Sequence, residues 1–159
     1  MTFTIQQTTK KDAGLILQFI QDLADYEKLA HEAVATLEDI ENTLFGDKAY
    51  AECVIAYEGE TAVGFALFFH NYSTFLGKPG LYLEDLFVKP AYRGKGYGKA
   101  LLSHLAKLAL DRKCGRLEWS VLDWNTPAID FYKSIGADPM DGWTVNRMDV
   151  AAMQNLIKL

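Results

Sequence analysis

Three glycines at alternate positions, Gly94, Gly96 and Gly98, stand between an apolar run and an amphipathic one, and they constrain this chain more than any other feature. Leu81-Tyr82-Leu83-Glu84-Asp85-Leu86-Phe87-Val88 reads as a strand stopped by Lys89-Pro90. Beyond the glycines, Leu101, Leu102, Leu105, Leu108 and Ala109 recur at helical period, which predicts a core-facing helix from Gly98 to about Asp111. A strand-to-helix junction aims unpaired backbone N–H groups and the positive end of the helix dipole at one spot, so it favours an anion. Glycine lets the backbone approach that anion closely. The charge pattern agrees. The chain has 16 Lys and Arg against 21 Asp and Glu, net −5, yet Lys89 to Lys99 holds Lys89, Arg93, Lys95 and Lys99 with no carboxylate.

Spacing narrows the anion. A mononucleotide loop G-x-x-x-x-G-K-[ST] fails, because position 93 is Arg and Lys99 is followed by Ala100. A dinucleotide fingerprint G-x-G-x-x-G fails as well, because the required third glycine falls on Lys99 or Leu101. What remains is R-x-x-G-x-G.

The rest of the chain frames this loop. Phe3 and Ile5 alternate as a strand, Thr9-Lys10-Lys11-Asp12 resembles a capping box, and Leu15, Ile16, Phe19, Ile20 and Leu23 continue as a helix. A short helix is expected over Thr36–Leu44. A hairpin follows, with strands Ala51–Tyr57 and Ala62–Phe69 about Glu58-Gly59-Glu60, and residues 77–80 mark the entry to the strand that ends at Val88. After the glycine-flanked helix come a strand over Arg116–Val121 and a helix over Pro127–Ile135, capped by Thr126 and stopped by Gly136. A last strand over Trp143–Asp149 precedes a helix from Val150. This order predicts an α/β (α+β) class, a mixed sheet with helices on its faces.

The motif and its surroundings resemble the GNAT N-acetyltransferases. The resemblance rests on R-x-x-G-x-G after a strand ending in V-x-P, on Leu83–Val88 before it, and on Trp124-Asn125-Thr126-Pro127-Ala128-Ile129-Asp130-Phe131-Tyr132-Lys133-Ser134-Ile135-Gly136-Ala137 after it. Asp22–Glu27 and Asp141-Gly142-Trp143 also fit, and within the superfamily the pattern is most similar to the diamine (spermidine/spermine) acetyltransferases. The resemblance implies a mixed sheet of six to seven strands in a single domain over residues 1–159, with acetyl-CoA as co-substrate. It further implies that Arg93, Gly94, Lys95, Gly96, Tyr97, Gly98 and Lys99 hold the coenzyme pyrophosphate. Leu86, Phe87 and Val88 would pair through their main chain with the pantetheine arm, and Asn125 and Ala128 would contact the coenzyme. A homodimer with the C-terminal strand and helix near its interface is implied too.

Aminolysis of a thioester needs a neutral amine, and an alkylammonium with a pKa of about 10.4 is neutral only in a few parts in ten thousand at pH 7. Glu84, a carboxylate in an otherwise apolar strand, is either a strand-edge group facing water or the base that takes this proton. The resemblance implies the base. Tyr132 is either a core aromatic beside Phe131 or, as the resemblance implies, the acid that protonates the departing thiolate. Tyr26, Glu27, Glu84, Asp85 and Asp141 fall where the family binds polyamine. Departures leave the length of the amine open: Phe75 stands in a segment where polyamine enzymes carry an indole, an extra residue enters at Pro79-Gly80, and Asp141 is shorter than glutamate. Related branches acetylate thialysine-like or ornithine-like amino acids. A peptide acetyltransferase and a coenzyme-binding regulatory module without turnover are the competing readings.

Composition bounds the partners. An acidic chain lacks the basic face that nucleic acid requires and suits a cationic ligand. Cys53 and Cys114 form no C-x-x-C pair, and His31, His70 and His104 form no ligand-spaced cluster with them, so reduced thiols and no metal are expected. No leader is recognisable and no apolar run approaches the roughly 18 residues needed to span a bilayer, so a cytoplasmic protein without a membrane partner is expected.

Overall fold

A computed structural model describes residues 1–158. The chain forms two compact units, Met1–Ser120 and the segment from Val121 onward.

The first unit is built on a five-stranded sheet in the order β1-β2-β3-β4-β5: β1 Phe3–Gln7, β2 Glu52–Glu58, β3 Thr61–Ser73, β4 Lys78–Val88 and β5 Leu117–Trp119. The first four strands are antiparallel neighbours and β4 with β5 is parallel, so the sheet is mixed as expected. Helix α1, Ala13–Tyr26, lays Ala13, Ile16, Phe19 and Leu23 into a core with Cys53, Ile55, Phe65 and Phe87. Phe19 stacks on Phe65 with ring centroids 5.2 Å apart. Burying an aromatic of this size contributes about 1.5–3 kcal/mol, so this face fixes α1 on the sheet. The junction ahead of α1 is held by the Thr9 N–H, which donates to Asp12 Oδ2 at 2.8 Å. Helix α2, Leu37–Leu44, opens on a reciprocal cap between Thr36 and Asp39 and adds Ile40 to the same core. Helix α3, Tyr97–Asp111, buries Leu101, Leu102, Leu105 and Ala109 and packs on β3 and β4.

The second unit contains α4, Thr126–Ser134, and α5, Val150–Leu156. Gly136 follows α4 with φ +99°, the left-handed stop its position predicts. The cap differs from expectation: Thr126 is the first helical residue, and the Asn125 side chain accepts from the Ala128 N–H.

Four strand expectations are corrected. The sheet has five strands rather than six to seven among the described residues. The segment Trp143–Asp149 is not a strand: it has no ladder partner among the described residues, and Trp143 and Val145 are each 80% exposed, so alternation alone does not make it one. The β3–β4 pairing runs longer than read, with Asn71 paired to Gly80 and Tyr72 to Pro79, so residues 79–80 lie inside β4 and the turn is at 74–77. The strand read over Arg116–Val121 shrinks to Leu117–Trp119. Among the described residues no helix is long and apolar enough to cross a membrane.

Candidate active site

The register of β3 with β4 carries one break, and it falls at Glu84. Leu67 opposes Asp85 and Phe68 opposes Leu83, which leaves Glu84 as the extra residue of a β-bulge. Residues directly opposite share a face, so the bulge reverses the alternation of β4 partway along. Leu83 and Leu86 both lie on the face of Phe68 and Ala66, towards α3. Asp85 and Phe87 lie with Leu67 and Phe65, on the α1 face.

The turned Asp85 therefore sits partly buried beside other carboxylates. Its pKa is pushed up to about 6, by burial first and then by the negative charges of Glu84 and Glu27. Burial also raises the Glu27 carboxyl, at the C-terminus of α1. Glu84 itself is exposed. A cation entering here would relieve the repulsion within the group and offset the desolvation of Asp85. Beneath it the Cys53 thiol is buried and pushed up to about 12, chiefly by burial, which makes it inert at neutral pH.

The bulge also marks where the sheet opens. The β4–β5 register covers Leu81–Leu83 against Leu117–Trp119 and runs no further, so Glu84–Val88 lie beyond the ladder on that edge. Such an edge can pair with an extended chain carrying amide groups.

At the end of that edge the glycine loop turns into α3. Gly94 and Gly96 both have φ +82°, and Gly96 is the N-cap residue of α3. A Cβ at either would meet nothing within 4 Å. Glycine is required here by the left-handed backbone, and the space beyond is open. Gly98 faces inward, its would-be Cβ 3.9 Å from Leu86 Cδ2 and 4.0 Å from Val88 Cγ2, so helix and strand pack closely where the loop ends. Glu58, at the end of β2, clamps the loop: Oε1 accepts from Lys95 Nζ at 2.9 Å and from the Tyr97 hydroxyl at 2.5 Å. These bonds hold the Glu58 carboxyl below its ordinary range, the Tyr97 bond contributing most, and raise Tyr97 and Lys95. The Tyr97 ring stacks on Phe3 at 4.3 Å. Open space, exposed N–H groups at a helix start and excess positive charge together fit a pyrophosphate.

Of the residues read as site residues, the first unit brings together Tyr26, Glu27, Asp85, Phe87 and Arg93 around the C-terminus of α1 and the end of β4. In the second unit, Asn125 and Ala128 are joined by the capping bond of 3.4 Å. Tyr132 lies on α4, half-buried, with its ring 5.7 Å from Phe131; neither ring is fully buried. Asp141 is exposed in the segment between α4 and α5. Sequence reasoning missed Glu58 and Phe3. Glu58 read only as part of a turn, and no local pattern marks a carboxylate whose partners lie 37 and 39 residues away.

Comparison with known proteins agrees with this geometry. The model of the acetyltransferase (GNAT) family matches residues 17–137. A thialysine N-epsilon-acetyltransferase of Bos taurus is 37% identical over 163 residues, covering 96% of this chain and 95% of that protein. A human spermidine/spermine N(1)-acetyltransferase-like protein is 32% identical, covering 92% of this chain and 22% of that protein. Among solved structures, an integron cassette protein from the mobile metagenome of V. cholerae superposes with a TM-score of 0.84 at 28% identity, covering 100% of this chain and 99% of that one. On the family match and these identities, the chain belongs to the GNAT acetyltransferase family.

Proposed function

We propose that the chain transfers an acetyl group from acetyl-CoA to a primary amine of a small cationic substrate, a polyamine, diamine or diamino acid, by direct attack in a ternary complex. The observation that carries this is the acidic bulge: Glu84, Asp85 and Glu27 crowd together where the sheet edge opens, one strand end away from the anion-accepting loop. Such a group prefers a substrate with more than one positive charge over a neutral amine.

Acetyl-CoA supplies the activated thioester. The backbone N–H groups of Gly94–Lys99 at the start of α3 hold its pyrophosphate, and Leu86, Phe87 and Val88 offer main-chain groups to the pantetheine arm. The family resemblance assigns Asn125 and Ala128 to the coenzyme as well. Tyr26, Glu27, Asp85 and Asp141 bind the cationic amine. Glu84 is exposed, so it can accept the ammonium proton and release it to water without a buried relay. Tyr132 donates its phenolic proton to the leaving thiolate, a nearly balanced transfer because phenol and thiol pKa values lie within about two units.

The family match over 17–137 runs across the boundary after Ser120, which supports reading residues 1–159 as one GNAT domain. A homodimer joined through the Trp143–Asp149 segment and α5 belongs to the same reading. The exposed Trp143, Val145 and Ile157 support it.

Free thiol release from acetyl-CoA tests the proposal, with putrescine, spermidine, spermine, ornithine, lysine, a thialysine-type analogue and a basic peptide as acceptors. Release with a diamine or diamino acid is expected. Among these, the higher identity to a thialysine enzyme favours the amino acids. Release only with the peptide, or coenzyme binding without release on any acceptor, would replace the proposal with a peptide acetyltransferase or a regulatory module.

A further inference from the structure

The first residue of the R-x-x-G-x-G motif does not simply extend the anion cradle. Arg93 Nε donates to the Val88 carbonyl at 2.8 Å, which bends the side chain back along β4. Its guanidinium lies over the Tyr26 ring at 4.7 Å and over the Phe87 ring at 5.2 Å, and those two rings are 6.4 Å apart. Phe87 is buried and fixed in the sheet, whereas Tyr26 is 42% exposed at the last turn of α1. The contact therefore ties the exposed end of α1 to the buried strand through a cation. Next to Tyr26 comes Glu27, one of the carboxylates that raise Asp85.

We propose that Arg93 is a positioning residue for the amine side of the site, holding the Tyr26–Glu27 end of α1 against β4, rather than a ligand of the coenzyme pyrophosphate. The idea rests on the acetyltransferase reading for its kinetic test, but the contact itself does not. A planar guanidinium suits the task because it hydrogen-bonds in its plane while stacking its faces on aromatic rings, and an ammonium cannot do both. Two functions of the site are thereby linked through one side chain: the loop that follows Arg93 faces the coenzyme, and Tyr26, on which it stacks, adjoins the carboxylates that take the amine.

The test compares the parent with Arg93→Gln, Arg93→Lys, Tyr26→Ala and the double variant Arg93→Gln/Tyr26→Ala. Three quantities are read: amine KM at saturating acetyl-CoA, CoA Kd by calorimetry, and amide hydrogen exchange over residues 22–29. Arg93→Gln and Tyr26→Ala should each raise amine KM about fivefold or more and speed exchange at the end of α1. CoA Kd should move by less than about twofold, Arg93→Lys should rescue little, and the double variant should be no worse than the worse single one. A rise in CoA Kd with amine KM and α1 exchange unchanged would overturn the proposal and return Arg93 to the pyrophosphate. If the parent turns over none of the amines tried, the function reading fails separately, and the exchange and CoA measurements still decide the role of Arg93.

Discussion

Replacing Asp85 by Asn should make the protein more stable and less active, and the size of the first effect can be worked from the site. The carboxyl moves from an ordinary 3.8 to about 6 on folding, pushed by burial and by Glu84 and Glu27. At 1.36 kcal/mol per unit this is about 3 kcal/mol, and because part of Asp85 stays in contact with water about 1–2 kcal/mol is the share expected in practice. The sign follows from proton binding. The folded protein holds this proton more tightly than the unfolded chain, so the parent loses stability as pH rises from about 4 through about 6, and the loss is complete above that window. Asparagine keeps the shape and never ionises. Thermal melts should therefore give Asp85→Asn nearly the parent Tm at pH 4 and a Tm about 2–8 °C higher at pH 7.5, from 2–4 °C per kcal/mol for a chain of this length. Thiol release with a diamine should meanwhile fall at least about tenfold, as expected where a functional charge is kept at the expense of stability. A Tm gap that is the same at both pH values, or no gap at all, would refute the account of Asp85 as an ionised, crowded carboxylate.

Three further outcomes follow from other parts of the site. Tyr132→Phe should lower turnover by about 10²-fold or more with little change in CoA affinity, measured by steady-state thiol release, and a change under a few-fold would remove the phenol from acid catalysis. Glu58→Gln should weaken CoA binding several-fold in calorimetry, because the bonds from Lys95 and Tyr97 that hold the loop in place lose their charged acceptor. A tighter complex would mean instead that Glu58 competes with the anion for Lys95. Gly96→Ala should raise CoA Kd about tenfold, since a side chain at φ +82° costs about 1–2 kcal/mol wherever the loop keeps that conformation; an unchanged Kd would show that the left-handed N-cap is not needed for binding.

Helices were the legible part of this fold, and the reason is visible in their residues. Ile16, Phe19 and Leu23 of α1, and Leu101, Leu105 and Ala109 of α3, carry their burial as a local period. Thr9 with Asp12 and Thr36 with Asp39 announce their caps within four residues. Strands were less legible because a strand exists only with its partner. Trp143–Asp149 has the composition of one and no ladder, while Ser73 and Lys78 have little strand character and close a long hairpin. Gly80, read as a break before β4, is instead the residue that makes room inside it, where any Cβ would collide with the Asn71 side chain from the opposite strand.

The same asymmetry governs the site. Gly94, Gly96 and the cations between Lys89 and Lys99 specify an anion cradle locally, because backbone conformation and helix polarity are written in adjacent residues. The acidic centre is different. A strict period of two along Leu81–Val88 would put Asp85 on one face with Leu81 and Leu83, buried under α3, where an unpaired carboxylate would be costly. One unpaired residue at Glu84 reverses that face, so Asp85 turns towards α1 and Glu27 while Leu86 and Val88 turn towards α3. Nothing in the eight residues announces the bulge except the anomaly of two acids in an apolar strand. Its position follows from pairing Leu67 with Asp85 and Phe68 with Leu83, a choice made across the sheet rather than along the chain. The bulge lies where that pairing ends its run against β5, so the residue that turns the carboxylate also stands at the opening of the edge. A substitution that removed the bulge without touching any charge would therefore be expected to cost activity through Asp85 and through the edge at once.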